Sequence, residues 1–138
     1  MDIIRDSYWK HIEEIKPLLP EPILTLATKT NLHDGLFREV RFDKESRQLF
    51  LGLRCGDIQQ GYFDLDLDYK ETTISKEDLD ALMRSVKNPK IEVLYDETYV
   101  DVNTYTHNIL LWPYQEIEIR YEGLAYSIHP MTDRQINK

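Results

Sequence analysis

Along this chain the apolar positions change spacing, and each change marks an element. Ile4, Tyr8, Ile12, Ile15 and Leu19 recur at helical intervals, which predicts an N-terminal helix that Asp6 or Ser7 could cap. Pro17 and Pro20 disturb its end, and residues 22–28 suit a second short helix. From residue 36 the period falls to two. Leu36, Val40 and Phe42 share one strand face, Leu49, Leu51, Leu53 and Cys55 a second, and Phe63, Leu65, Leu67 and Tyr69 alternate with Asp64, Asp66 and Asp68 on a third. Helical spacing returns once. Ser75 caps a helix over 75–88, Glu77 and Asp78 sit in its positive first turn, and Leu79, Leu82, Met83 and Val86 form its stripe. Asn88-Pro89 stops it. Four further strands fall near 91–100, 105–112, 116–122 and 124–129, ahead of a polar tail at 130–138.

This order predicts an α+β fold. The short connections favour hairpins, hence a largely antiparallel β-sheet of about seven strands in two meander units, with the N-terminal and inserted helices packed on it. The hydrophobic pattern also suggests registers. Phe42 opposite Leu49 places Val40 on Leu51 and Arg41 on Phe50. Leu53 opposite Phe63 places Leu51 on Leu65, Leu49 on Leu67 and Phe50 on Asp66. In the second unit, Tyr99 opposite Tyr105 sets Glu97 against His107, and Leu111 opposite Ile117 sets His107 against Tyr121. Asp96, Asn108 and Arg120 would then share the outer face.

Composition narrows the class. The chain has 138 residues, enough for one domain with its own core. Fifteen aromatics, nine of them Tyr, and 41% apolar content exclude a disordered tail protein. No apolar run approaches the ~18 residues of a membrane span, and the N-terminus lacks a basic start followed by an apolar stretch, so no secretory signal is expected. Cys55 is the single cysteine and has no internal partner to bridge to. With no disulfide implied, the expected location is the cytoplasm. The net charge is −8, which argues against nucleic acid and an anionic membrane as partners and permits a basic protein partner. Strand edges left open would also permit a homodimer.

Three constellations could carry chemistry. Asp64, Asp66 and Asp68 would stand ~7 Å apart on one strand face, as a docking face for a basic partner or as a solvated face balanced by Arg41 and Arg54. A metal site would need ligands converging from loops, so no metal is expected. His33-Asp34 resembles a metal-dependent phosphohydrolase pair, but further ligands from several helices are missing, and Asp34-Gly35 fits a plain turn. Glu97, His107 and Tyr121 would form a polar row at the end of an apolar face, suited to acid–base chemistry or to closing a core. No nucleophile elbow, phosphate-binding glycine loop, H-E-x-x-H or C-x-x-C occurs, and no cofactor is implied.

Several segments together resemble a family of small, uncharacterised bacterial proteins. They are Asn31-Leu32-His33-Asp34-Gly35, Cys55-Gly56-Asp57 with Gly61-Tyr62-Phe63-Asp64-Leu65, Leu94-Tyr95-Asp96-Glu97, and His107 with Trp112-Pro113-Tyr114-Gln115-Glu116-Ile117. The resemblance spans residues 8–129 and implies no activity, cofactor or catalytic role. In size, acidity and layout the chain is also similar to β-rich immunity proteins that neutralise toxins. The expected function is therefore a non-enzymatic protein-interaction or accessory module. The alternative is a small-molecule binder or hydrolase with a pocket between sheet and helices.

Overall fold

The computed structural model describes residues 2–28, 30, 32–57 and 61–130. Helix α1 (Asp2–Ile15) ends in a 3-10 turn, Lys16–Leu18, that carries Pro17, and helix α2 (Glu21–Thr28) follows. Strands β1 (Leu36–Asp43), β2 (Gln48–Asp57) and β3 (Gly61–Lys70) come next, then helix α3 (Lys76–Lys87). Strands β4 (Glu92–Asp101), β5 (Thr104–Trp112), β6 (Gln115–Tyr121) and β7 (Gly123–Pro130) complete the order. The fold is α+β, with seven antiparallel strands in two sheets, β1-β2-β3-β7 and β4-β5-β6. No described helix is long and apolar enough to cross a membrane.

α1 starts at Asp2, ahead of the expected caps Asp6 and Ser7, and buries Tyr8, Ile12 and Ile15. The Ile4 side chain and the polar tail from residue 131 lie outside the described residues. α3 has the expected cap, with Ser75 Oγ accepting from Asp78 N at 3.1 Å. Leu79, Leu82 and Val86 of the expected stripe pack on the core. Ala81, Leu82 and Ser85 are buried, while Met83 turns outward.

The β1–β2 pairing is as expected at Phe42–Leu49, Val40–Leu51 and Arg41–Phe50. A bulge between Phe37 and Glu39 then shifts the alternation, so Phe37 is buried and Leu36 is not fully so. The β2–β3 hairpin is wider by two residues than expected. Leu53 faces Leu65, Leu51 faces Leu67, Leu49 faces Tyr69, and Phe50 faces Asp68 instead of Asp66. An even shift preserves faces, so Leu49, Leu51, Leu53, Leu65 and Leu67 are all fully buried. Each is worth about 1.5–3 kcal/mol of transfer free energy, so an odd shift exposing one whole face could not compete.

The second sheet departs further. A bulge between Val93 and Tyr95 shifts β4 by one residue, so His107 faces Thr98 and Tyr99 faces Thr106. The β5–β6 register moves by two, setting Leu111 opposite Gln115 and His107 opposite Ile119. The expected Asp96, Asn108, Arg120 row does not form, since Asn108 faces Glu97 and Glu118, and Arg120 faces Thr106.

The chain itself covers both edges of the smaller sheet. On β4, Asp34 N donates to Val93 O at 2.7 Å, Val93 N donates to Gly35 O at 2.9 Å, and the Tyr8 hydroxyl accepts from Thr98 N at 2.7 Å. On β6, Thr73 and Arg120 exchange backbone bonds of 2.8 and 3.1 Å, and the Asp78 carboxylate accepts from Glu118 N at 3.1 Å. β6 runs through Glu122 into β7, whose partner is β3, so one bent stretch joins the two sheets.

Candidate functional site

The bulge in β4 decides which carboxylate meets His107. With the alternation shifted, Asp96 and Thr98 turn to the interior and Glu97 does not. Asp96 Oδ2 lies 2.8 Å from His107 Nε2, and the Tyr69 hydroxyl from β3 lies 2.7 Å from His107 Nδ1. The expected row of Glu97, His107 and Tyr121 is therefore replaced by Asp96, His107 and Tyr69. Glu97 accepts from the Tyr95 hydroxyl at 2.9 Å, two residues away on its own strand. Tyr121 faces Tyr105, its ring packs edge-on to Tyr69 at 5.0 Å, and its hydroxyl has no hydrogen-bond partner among the described residues.

For a neutral imidazole one proton arrangement satisfies both bonds. The Tyr69 O–H donates to Nδ1, and Nε2–H donates to the Asp96 carboxylate. The relay links β3 of one sheet to β4 and β5 of the other. Its geometry resembles the oriented histidine of a nucleophilic triad, but the group at the end is wrong for attack. The His107 and Tyr69 side chains are 0% exposed, and that of Asp96 is 17% exposed. Burial, with Tyr121 and Asp96 nearby, raises the Tyr69 hydroxyl far above the usual tyrosine range. Cys55, close by, is buried too, and its thiol is pushed up to about 12 by that burial and then by Asp96 and Asp64. The cluster holds the two sheets together and presents no accessible nucleophile.

The aspartate stripe is partly neutralised. Asp64 accepts from Arg54 Nε and Nη2 at 2.9 and 3.2 Å, and Arg38 Nη2 donates to Asp66 at 2.7 Å. Hydrogen bonding to Arg54 lowers the Asp64 pKa below the usual carboxylate range. Arg38 reaches β3 by lying over Gly52, where an added Cβ would sit 2.9 Å from its guanidinium. Arg41 balances Glu39 at 2.8 Å and stacks on Phe50, rather than serving the stripe. Among the described residues no group of three or more His, Cys, Asp or Glu is placed to hold a metal ion. His33 Nδ1 lies 2.7 Å from Leu94 O, so His33-Asp34 serves the loop that covers β4.

A different surface stands out once the fold is in place. The Trp112–Pro113 peptide is cis, and the Trp112 and Tyr114 rings meet edge to face at 5.0 Å. They are 45% and 77% exposed. Beside them a groove of about 370 Å³ runs between α3 and the β5–β6 turn, lined by Arg84, Lys90, Ile91, Leu111 and Tyr114 among others. Sequence reasoning passed over this face, although Trp-Pro-Tyr between two strands was a legible sign of exposed aromatics on a turn. Searches against protein families, curated proteins and solved structures returned no match to the chain.

Proposed function

We propose that this protein is a non-enzymatic protein-interaction module whose contact face is the Trp112–Tyr114 turn and the groove beside it. The observation that carries the reading is the exposed Trp112–Tyr114 pair. Large aromatics left in water forgo burial free energy, and Trp and Tyr dominate the energetic centres of protein interfaces. The hydrolase alternative depends on access to His107, which is fully buried and already bonded on both ring nitrogens. A buried, unbridged Cys55 suits a reducing compartment, so the cytoplasm is the proposed location.

The test is affinity capture from native host cells at low salt, with the intact protein and a Trp112→Ala, Tyr114→Ala double variant. Both side chains are exposed, so the variant is expected to keep its denaturation midpoint. A protein retained by the wild type and lost from the folded variant is the expected result. No retained protein, or equal retention by both, overturns the reading.

A further inference from the structure

Resting on that reading, we infer that the groove between α3 and the β5–β6 turn receives an acid-bearing segment of a partner protein. Its carboxylates would meet Arg84 and Lys90, and an apolar side chain would lie against Ile91, Leu111 and Tyr114.

The charge of the groove is the reverse of the chain's. Asp plus Glu exceed Lys plus Arg by 25 to 17, yet the groove is lined by two cations and no carboxylate. The acids adjacent in sequence, Asp80, Glu92 and Glu116, are not among its lining residues. Neither Arg84 nor Lys90 forms an ion pair among the described residues. Complementing the negative end of the helix accounts for Arg84 and Lys87 in the last turn of α3. It does not account for Lys90, which lies beyond the helix in a turn closed by Ile91 N and Asn88 O at 3.0 Å.

Beside the cations and the polar Asn88 and Gln115, the lining includes the apolar Ile91, Leu111 and Tyr114, so a bare anion would satisfy the cations and leave Tyr114 and Ile91 uncovered. A peptide segment bearing both acids and an aliphatic or aromatic residue meets both halves. Such a segment would be read by its side chains. The neighbouring edge of β6 is already occupied by Thr73 and Asp78, which excludes strand addition there. Screening at physiological salt confines the chain's remaining negative charge to within about 8 Å, so short contacts to Arg84 and Lys90 outweigh the distant acids.

The experiment selects a random peptide library on phage against the intact protein, and in parallel against an Arg84→Glu, Lys90→Glu variant and the Trp112→Ala, Tyr114→Ala variant. Binding of the enriched peptides is then measured by fluorescence anisotropy, with denaturation midpoints as folding controls. The expected result is enrichment of sequences combining Asp or Glu with an apolar residue. Their binding should weaken at least about tenfold in the charge-reversed variant, as two lost charge pairs plus new repulsion imply. Peptides without acids that bind through Trp112 and Tyr114 and ignore the charge reversal overturn this inference and leave the interaction face standing. Binding indifferent to both variants, or no enrichment, overturns the two together. Displacement of the peptides by free glutamate at equal concentration would assign a small carboxylate and overturn it as well. Self-association of the intact protein that Arg84→Glu abolishes would assign the face to a second copy, with the same consequence.

Discussion

Tyr69 and Tyr121 are both fully buried and pack ring against ring, yet their hydroxyls are in opposite situations. The Tyr69 hydroxyl bonds His107, while that of Tyr121 has no partner among the described residues. Tyr69→Phe would strand Nδ1 of His107 in the core and cost about 1–3 kcal/mol. Tyr121→Phe removes a hydroxyl that gains nothing and should leave stability within about 0.5 kcal/mol of wild type, or raise it. Equilibrium denaturation of the two variants side by side checks this, and equal losses would contradict the assigned relay. The Tyr8 hydroxyl, buried and raised above the usual tyrosine range, is a third case, since it accepts from Thr98 N and so fixes α1 to the edge of β4. None of these pairings could be read from residue types, because each joins positions far apart in sequence.

At the scale of elements, local signals were sufficient wherever the chain keeps a regular period. The Ser75 cap is one such signal, and Ser75→Ala should lower the thermal denaturation midpoint by the equivalent of about 1 kcal/mol. The β2–β3 hairpin is another: the leucine faces were legible although the register was off by two, since even errors keep faces together. Bulges are the limit. The extra residue near Leu94 in β4 breaks the alternation, and with it the expected link between Glu97 and His107, because no Gly or Pro in β4 marks the irregularity. The outer face of β3 supplies a pH test. Arg54 holds the Asp64 pKa below its ordinary 3.8, so the stabilisation is present above that value and lost as pH falls through the folded pKa. Asp64→Asn should cost about 1 kcal/mol or less at neutral pH. Denaturation midpoints measured from neutral to strongly acidic pH should converge with wild type at the acid end, and a constant gap would contradict the pairing.

For the whole molecule, the polar groups that serve the fold and those available for binding lie apart. Asp96, His107 and Tyr69 tie the two sheets together from inside, and the aspartate stripe is partly answered by Arg38 and Arg54. Trp112, Tyr114, Arg84 and Lys90 face outward at one end, around the same groove or next to it. Asp96→Asn is therefore expected to lower stability while leaving the capture of a partner by the remaining folded protein unchanged, which retention normalised to folded fraction would show. The most direct test of this division is hydrogen–deuterium exchange of the wild-type protein, free and with its captured partner. Added protection should concentrate in residues 84–91 and 111–115. Protection centred instead on the outer face of β3 at Asp64, Asp66 and Asp68, or around Asp96 and His107, would contradict the account.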